Sequence, residues 1–303
     1  MRALIVGCGY LGLPLGVELL RLGHEVFGVR RPGSPVTDLA AVGIQPVAAD
    51  ITDPATLHAL PPGLDWVINC VSSSRGGVGE YEKVYLDGTR HLLDRLAAEP
   101  IRKFVYTSST SVYGQTDGGL VKESSPTEPS GPNGKILVAA EQEILRAAAE
   151  SKFPGLILRV AGIYGPGRGH LFLQYLKGEA RLAGRGERLI NMIHRDDLVG
   201  AIVAALKNGR AGEIYNAVDD EPVPQIHFFR WLSETLGKWM PPEASESEMA
   251  GRKRTLTHKK VSNRRLKMEL GYQFKYPTFR QGYTAEIIRL ERAGELNIQP
   301  DPR

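Results

Sequence analysis

Short apolar runs alternate with amphipathic stretches through the first half of the chain. Six of these runs have the length of buried strands, namely 3–6, 24–30, 44–49, 64–71, 103–109 and 155–165. Between them, apolar positions at helical spacing predict helices at 11–23, 36–43, 55–60, 80–98 and 136–150. A parallel strand that is buried on both faces is apolar along its whole length, and a helix returns the chain to the next strand. The pattern therefore predicts an α/β fold, a doubly wound parallel sheet with right-handed crossovers.

The alternation weakens after about Gly167. Later elements are shorter, with predicted helices at 170–178 and 196–207 and predicted strands at 189–192 and 213–217. A polar run at 241–254 predicts an exposed loop. We therefore expect a first domain over residues 1–167 and a smaller C-terminal α/β lobe over most of 168–303. Residues 196–217 are expected to return to the first domain.

Composition narrows the class of protein. Of the 303 residues, 42% are hydrophobic and 24% are charged, which is average for a soluble globular protein. No apolar stretch approaches the roughly 18–20 residues of a membrane span, and the run at 3–6 is too short for a signal peptide. We therefore expect a cytoplasmic protein with no membrane partner. The two cysteines, Cys8 and Cys70, exclude a disulfide scaffold, argue against a metal site, and are expected to fill tight space.

The formal net charge is +4, and basic residues are most frequent in the C-terminal third of the chain. They are Arg252, Lys253, Arg254, Lys259, Lys260, Arg264, Arg265 and Lys267. No aromatic interleaving or helix-turn-helix pattern accompanies them, so we expect no nucleic-acid partner. A solvated surface is the simplest interpretation of these charges, and a small anionic ligand is the next.

A glycine-rich segment, GCGYLG at 7–12, follows the first predicted strand and opens the first predicted helix. In this context a G-x-G-x-x-G pattern predicts a dinucleotide pyrophosphate site. Gly7 allows the tight turn, Gly9 lets the backbone approach the pyrophosphate, and Gly12 allows close packing of helix on strand. Free N–H groups and the helix dipole then attract the diphosphate. The alternative is a tight strand–helix turn without a ligand.

The ends of the next two predicted strands bear on the choice of cofactor. The second strand ends in Arg30 and Arg31, where an acidic residue would bind the ribose of NAD. Two guanidinium groups suit a 2′-phosphate, so NADP is favoured, with NAD or a solvated basic turn as alternatives. At the end of the third strand, Asp50 is expected to contact the adenine. Its rival role is the N-cap of the next helix, which Thr52 or Asp53 could also fill.

Several further segments resemble the extended short-chain dehydrogenase/reductase family of nucleotide-sugar epimerases and dehydratases. Besides the glycine loop, they are Asp50-Ile51, YLDGTRHLLD (85–94), FVYTSSTSVYG (104–114), LRVAGIYGPG (158–167), IHRDDL (193–198) and IYNAVDDEPV (214–223). The likeness covers nearly the whole chain, and the segments occur in the family's order. It implies a Rossmann-type sheet, a nicotinamide cofactor and a C-terminal lobe that binds the substrate.

The resemblance also implies catalytic positions. The second serine of the family's SS-x-x-VYG segment helps to polarise the reacting oxygen, and it corresponds to Ser109. The family's tyrosine and lysine form a Y-x-x-x-K pair on the next helix, and alignment on Glu141 places Asn133 and Leu137 at those positions. In such a pair the lysine lowers the pKa of the tyrosine toward neutrality. Asparagine and leucine cannot do this, and Lys135 lies on the opposite helix face.

The resemblance, with the strand ends, places further residues at the site. For the cofactor they are Tyr10, Leu11, Ile51, Val71, Ser72, Ser73, Ser108 and Val160. For an anionic or sugar-nucleotide-like substrate they are Ser109, Arg168, Lys260, Asn263 and Arg264. Surface solvation explains each of the last four equally well. Three tyrosines could approach the site from elsewhere, although packing is their simpler role, namely Tyr85, Tyr113 and Tyr164.

Two functions from different classes fit these observations. The first is an NADP-binding, epimerase-like enzyme of the extended family whose reaction is not assigned. The second is a non-catalytic sensor in which dinucleotide occupancy regulates a partner interaction, and the missing Tyr/Lys pair favours it. Nucleic-acid binding through the basic C-terminal third is a distant third hypothesis. The resemblance also implies a homodimer formed through the helices at 80–98 and 136–150.

Overall fold

The computed structural model describes residues 1–73, 77–245 and 257–298. Its strands are β1 (Arg2–Val6), β2 (Glu25–Arg30), β3 (Gln45–Ala48), β4 (Trp66–Asn69), β5 (Lys103–Ser109), β6 (Leu120–Val121), β7 (Gly155–Val160), β8 (Gly162–Tyr164), β9 (Leu189–Ile190), β10 (Met192–His194), β11 (Ile214–Ala217), β12 (Val223–Pro224) and β13 (Lys260–Val261). Its α-helices are α1 (Gly12–Arg21), α2 (Thr37–Ala41), α3 (Val78–Glu82), α4 (Gly88–Leu96), α5 (Pro132–Ser151), α6 (His170–Leu176), α7 (Arg195–Asn208), α8 (Gln225–Leu236), α9 (Arg264–Leu270) and α10 (Phe279–Arg292). Short 3₁₀ turns span Pro54–Ala59 and Thr110–Val112, and a π-helical turn, Lys83–Asp87, joins α3 to α4.

Seven of the strands form one parallel sheet in the order β11-β7-β5-β4-β1-β2-β3. This order runs outward from β1 in both directions, so the predicted doubly wound α/β fold is confirmed. The six apolar runs each contribute a strand, and β11 pairs with β7 as the seventh. The carboxyl ends of all these strands lie at one edge of the sheet. In open α/β sheets that edge holds the ligand, at the point where the strand order reverses.

The sheet separates two buried apolar clusters because successive side chains of a strand point to opposite faces. In β1, Ala3 and Ile5 face the cluster that α1 and α7 cover, whereas Leu4 and Val6 face the cluster that α4 and α5 cover. A third cluster, half of whose buried residues are aromatic, is built mainly from α6, α8 and α10. The division of the chain at Gly167 into two domains stays a prediction.

Two predicted elements are interrupted in the structure. The apolar run at 155–165 breaks at Ala161, where β7 ends and the separate strand β8 pairs with β10 instead of extending the large sheet. The helix predicted over 80–98 is divided by the π-helical turn, and it begins at Val78 and ends at Leu96. Turns of this kind interrupt the helical register and are frequent near functional sites.

Part of the C-terminal region lies outside the described residues. This holds for most of the loop predicted over 241–254, including Arg252, Lys253 and Arg254. In the part of the chain that the structure describes, no helix has the length and apolar character needed to cross a membrane.

Candidate functional site

The glycine loop between β1 and α1 has no room for side chains at two of its three glycines. Gly7 has a φ of +90°, and a Cβ there would lie 2.8 Å from the backbone of Val71. A Cβ on Gly12 would lie 2.7 Å from the carbonyl oxygen of Gly7. A Cβ on Gly9, by contrast, would meet nothing within 4 Å in the described part of the chain. The protein itself therefore does not need Gly9 to be a glycine, but a ligand that approaches this backbone would.

Backbone donors border the open space at Gly9. The N–H groups of Tyr10 and Leu11 have no backbone acceptor among the described residues, and Leu11 is the N-cap of α1. Unpaired N–H groups at a helix N-terminus attract anions. Behind the loop, burial raises the pKa of the Cys8 thiol to about 12, and the Cys70 thiol donates to the carbonyl oxygen of Gly7 at 3.4 Å. The buried thiols fill space, whereas the free donors of the loop suit a diphosphate.

The ring of Tyr10 brings two arginines to the glycine loop. The guanidinium carbons of Arg168 and Arg195 lie 5.0 and 5.4 Å from the centre of this ring. Contacts of this length are favourable cation–π interactions. Arg168 was assigned to the substrate from the sequence, and it lies beside the loop that is predicted to bind the cofactor. The assignment of Arg168 to the substrate stays a prediction.

An open cleft of about 520 Å³ lies at the carboxyl ends of β2 and β3. Its lining residues are Arg31, Pro32, Gly33, Ser34, Asp50, Asp53 and Thr56. The Arg30 guanidinium is engaged elsewhere, because it donates to both carboxylate oxygens of Asp38 at 2.7 Å and to the carbonyl oxygen of Cys8 at 2.8 Å. The Arg31 guanidinium has no hydrogen-bonding or ionic partner in the described part of the chain. Of the two arginines, Arg31 therefore offers its charge to a ligand.

The acidic side chains of the cleft have defined local roles. Asp53 is the N-cap of the 3₁₀ turn that follows, and its carboxylate accepts from the backbone N–H of Ala55. The Asp50 carboxylate instead accepts from the backbone N–H and the hydroxyl of Thr52, at 2.9 and 2.8 Å. Asp53 is thus the cap among the alternatives that the sequence left open. Ile51 is buried, 5% exposed, so its side chain lines the core below the cleft.

The segment after β4 lies against the glycine loop. The backbone of Val71 packs on Gly7, and Ser72 is exposed. The backbone N–H of Ser73 donates to the hydroxyl oxygen of Tyr85 at 3.2 Å, and Tyr85 lies in the π-helical turn. Tyr85 therefore reaches the edge of the sheet where ligands bind. Its contact with Ser73 is a finding that the sequence did not provide.

Ser109 ends β5 at the same edge and is half-buried. Its hydroxyl oxygen accepts from the backbone N–H of Ser111 at 3.1 Å, which caps the 3₁₀ turn that follows. Since a hydroxyl has one donor proton besides its acceptor sites, Ser109 can still donate a hydrogen bond to a ligand. Val160 ends the neighbouring strand β7 and is 6% exposed.

The other serine of the pair points into a buried polar network. The Ser108 hydroxyl donates to Glu141 at 2.6 Å, and the same carboxylate accepts from the Arg159 guanidinium at 2.7 Å. Arg159 also donates to the hydroxyl oxygen of Tyr113, which itself donates to Asn216 at 2.8 Å. The network joins α5 to β5, β7 and β11. The side chain of Ser108 is therefore held away from the open edge, and a contact of Ser108 with the cofactor stays a prediction.

The two positions aligned with the missing pair have different surroundings. Asn133 is exposed in the first turn of α5. Leu137 is 1% exposed and packs in an apolar cluster with Val112, Tyr113, Val121, Ala161, Val218 and Val261. A charged lysine would not be stable at position 137 without a rearrangement of these neighbours. The alignment that puts the family's pair here stays a prediction.

The residues assigned to the substrate from the sequence are scattered. Lys260 is exposed in β13. The Asn263 amide donates to a carboxylate oxygen of Asp220 at 2.7 Å, and Arg264 is exposed with its Nε 3.2 Å from the sulfur of Met268. Among the described residues, none of these three side chains contacts Ser109. No group of three or more acidic, histidine or cysteine side chains in the described residues is arranged to hold a metal.

One buried cation was not singled out by the sequence. Lys259 is 4% exposed, and its ammonium group donates to the carbonyl oxygen of Tyr113 at 2.7 Å and to the hydroxyl oxygen of Thr257 at 3.0 Å. Burial lowers the pKa of Lys259 to about 8, and the nearby charge of Arg188 contributes to this shift. In the sequence Lys259 stands beside other basic residues. Nothing in that pattern distinguishes a buried lysine from an exposed one.

The remaining tyrosine candidates are packed in the protein interior. Tyr113 belongs to the polar network, and Tyr164 stacks on Tyr283 with ring centres 4.3 Å apart. The ring of His194 packs edge-on against Tyr164, and its Nδ1 accepts from the backbone N–H of Asp196 as the N-cap of α7. Burial lowers the pKa of His194 to about 4, so this histidine is neutral at physiological pH. These side chains support the edge rather than face it.

A doubly wound parallel sheet with a glycine loop at its switch point defines a Rossmann-type dinucleotide-binding protein. Residues 3–217 match the sequence profile of the NAD dependent epimerase/dehydratase family. The chain belongs to this family, as its motifs predicted. The match ends at the last residue of β11, so it includes the seven-stranded sheet except for Arg2, the first residue of β1.

Individual relatives extend the likeness to nearly the full chain. Protein YeeZ of Escherichia coli is 30% identical over 286 residues, which is 91% of this chain and 96% of YeeZ. A 3-diazoavenalumate denitrifying reductase of a Streptomyces species is 28% identical over 310 residues, or 94% of this chain and 100% of the reductase. The dTDP-glucose 4,6-dehydratase DesIV of Streptomyces venezuelae, solved with NAD bound, has a TM-score of 0.82 at 23% identity, with 96% and 97% of the two chains covered. That last likeness shows the shared fold.

Proposed function

We propose that this chain binds a nicotinamide dinucleotide, NADP in preference to NAD, and transfers hydride to or from a small anionic or sugar-nucleotide-like substrate. The full-length likeness to a reductase supports a redox reaction. The open space at Gly9 and the unpaired N–H groups of Tyr10 and Leu11 fit a diphosphate. When it is bound, the nicotinamide supplies the hydride chemistry, and the protein supplies position and polarisation.

The strand order supports a single path for the dinucleotide. The cleft at Arg31 lies at the ends of β2 and β3, on one side of β1. Ser109 ends β5, which lies on the other side of β1 beyond β4. A dinucleotide with its adenosine half in the cleft and its diphosphate at the glycine loop therefore has its nicotinamide half directed toward Ser109.

The observation that carries the enzymatic proposal is the hydrogen bonding of Ser109. Its oxygen already accepts from the backbone N–H of Ser111, so the proton of its hydroxyl is the group left for a substrate. A donor held in this way stabilises negative charge that develops on a reacting oxygen. Ser109 therefore orients and polarises the substrate.

A non-catalytic sensor is the second candidate, because Asn133 and Leu137 provide no proton-transfer pair. The two functions differ in a direct experiment. Purified protein with NADPH is offered a panel of sugar nucleotides and small oxo acids, and absorbance at 340 nm is followed. Turnover with any substrate supports the enzyme, whereas tight NADPH binding without turnover across the whole panel supports the sensor.

Ser109→Ala provides the site-specific test of the enzyme. We expect its kcat to fall by about 10²–10³-fold, as when one preorganised donor to an oxyanion is removed, while the Kd for NADPH is unchanged. Ser111→Ala is the matched control, since that side chain is exposed and only the backbone N–H of Ser111 donates to Ser109. Equal kcat values for wild type and Ser109→Ala would contradict the assignment of Ser109.

Arg31 determines the proposed preference for NADP. Loss of a hydrogen bond to a charged group costs ~1.5–3 kcal/mol, so Arg31→Ala is expected to weaken NADPH binding by about 10–100-fold. NADH binding, which involves no 2′-phosphate, should change less than about twofold. Fluorescence titration measures both affinities.

Arg30→Ala is the comparison variant. Because Asp38 already neutralises Arg30, this variant should not alter the ratio of the NADPH and NADH affinities. Equal losses for NADPH and NADH in Arg31→Ala would show that the 2′-phosphate lies elsewhere.

A further inference from the structure

Lys259 is a buried cation without an ionic partner in the part of the chain that the structure describes. Its ammonium group has three N–H donors, and two of them are used on neutral acceptors, the Tyr113 carbonyl and the Thr257 hydroxyl. No carboxylate among the described residues forms a salt bridge with it. A buried lysine is usually paired with an acid, because an unpaired buried charge is costly. A contribution to the stability of the fold therefore does not explain why a lysine occupies this buried position.

The position of Lys259 relates it to the missing pair. Lys259 directly precedes β13, and Val261 lies two residues further on. Alternate residues of an extended segment point to the same side. Val261 packs in the apolar cluster around Leu137 that also contains Tyr113, and Lys259 binds the backbone of Tyr113. Lys259 belongs to the C-terminal part of the chain, but it lies beside the apolar cluster that contains Leu137, the residue aligned with the family's lysine.

Tyr113 also connects Lys259 to Ser109. The segment from Ser109 to Tyr113 is one 3₁₀ turn that follows β5 at the ligand-binding edge. The side-chain amide of Asn191 fixes the backbone around the lysine, because it donates to the carbonyl oxygen of Lys259 at 3.0 Å and accepts from the backbone N–H of Val261 at 2.9 Å. The ammonium group is therefore anchored at a fixed place beside the turn that Ser109 caps.

The charged surroundings of Lys259 favour the loss of a proton. Arg188, just before β9, is the charged group that acts on its pKa, and it acts in the same direction as burial. Of the neighbouring titratable groups, Lys260 is exposed, and the His258 ring accepts from the backbone N–H of Leu189. A lysine whose pKa is about 8 releases and takes up protons near physiological pH, as a general acid requires.

The geometry points to Lys259 as the proton-transfer residue of this site, in place of the missing Tyr/Lys pair. This inference rests on the proposed oxidoreductase function. As a carbonyl substrate accepts hydride from a reduced nicotinamide dinucleotide, the C=O π pair moves to oxygen, the Lys259 N–H bond breaks and an O–H bond forms. The N–H electron pair stays on the lysine nitrogen, which becomes neutral, and Ser109 orients the oxygen.

The test measures the titration of Lys259 directly and needs no substrate. The full-length protein is labelled with ¹³C-lysine, its ε-carbon shifts are followed by NMR against pH, and Lys259→Arg identifies the Lys259 signal by its disappearance. We expect a midpoint at about 8, as the burial of this group dictates. NADP⁺ carries one more positive charge on its nicotinamide than NADPH does. A charge within several ångströms of the lysine should therefore place the midpoint about one unit lower with NADP⁺ than with NADPH.

Each outcome decides the inference. A Lys259 midpoint near the ordinary lysine value of about 10.4, or the same midpoint with the two cofactor forms, overturns it, because a purely structural lysine does not respond to the oxidation state of the nicotinamide. The backbone amide signals of Tyr10 and Leu11 separate this failure from a failure of the proposed function. If those amides shift on cofactor addition while Lys259 does not respond, only the role of Lys259 is wrong. If they do not shift either, the proposed function is wrong as well.

Discussion

Gly9→Val is expected to weaken dinucleotide binding by about 10–100-fold while the protein keeps its fold and its stability. The described structure has no atom within 4 Å of a Cβ at Gly9, so the free protein accommodates a side chain there. A diphosphate that approaches the backbone at Gly9 does not. Forcing atoms into a tight contact costs ~1–3 kcal/mol, which corresponds to about 10–100-fold in Kd. Calorimetric titration with NADPH and a thermal melt measure the two properties separately.

Gly12→Ala is the matched control for this prediction. Its Cβ would lie 2.7 Å from the carbonyl oxygen of Gly7, within the protein itself, so this variant should lose stability even without a ligand. Gly9→Val is thus expected to lose affinity for the dinucleotide, whereas Gly12→Ala is expected to lose stability. An unchanged NADPH affinity in Gly9→Val would show that the diphosphate does not pass over this loop.

Glu141→Gln is expected to destabilise the protein more than any surface substitution on the same helix. The Glu141 and Arg159 side chains are 3% and 5% exposed, and the Arg159 guanidinium bonds to both carboxylate oxygens. Loss of one charge leaves the other buried without compensation, which costs ~3–5 kcal/mol. For a chain of this size we expect the Tm to fall by roughly 10 °C. Urea denaturation with circular dichroism measures the free energy of unfolding.

Glu143→Gln tests whether burial is the cause. Glu143 lies two residues further along α5. Its side chain is 12% exposed, but its partners Arg90 and Arg146 are 48% and 63% exposed, so both arginines keep their contact with water when the pair is lost. Ion pairs with such exposed partners contribute only ~0–1 kcal/mol. The double variant Glu141→Leu with Arg159→Met should be more stable than Glu141→Gln, because it removes both charges. Similar losses in Glu141→Gln and Glu143→Gln would mean that the buried network does not stabilise the fold in this way.

The sheet and the glycine loop could be predicted because their signals are local. Each strand of the predicted set contains a short apolar stretch, and Gly7, Gly9 and Gly12 occur between a strand and a helix. The motif that holds the two serines at the end of β5 is likewise contained within one short segment of the chain. These features depend on residues within one strand–helix unit.

The chemistry of single side chains could not be predicted, because it depends on partners that are distant in sequence. Arg30 and Arg31 are equivalent in the sequence, and the position of Asp38 after a turn makes them different. Lys259 contacts Tyr113 across 146 residues, and no pattern within either segment indicates that contact. The packing of Tyr85 depends on a π-helical turn that the apolar spacing of a regular helix does not reveal.

The position of β11 in the sheet affects how the protein folds while it is being synthesised. β7 ends at Val160, but its outer neighbour β11 ends at Ala217, 57 residues later. At ~5–20 residues per second, a ribosome needs roughly 3–11 s to make that interval. During this time the outer edge of β7 presents unpaired N–H and C=O groups, which are a template for pairing with other chains. The nascent protein is thus most prone to aggregate in this interval. A polypeptide released before Ala217 would keep the unpaired edge of β7, which β11 covers in the finished protein.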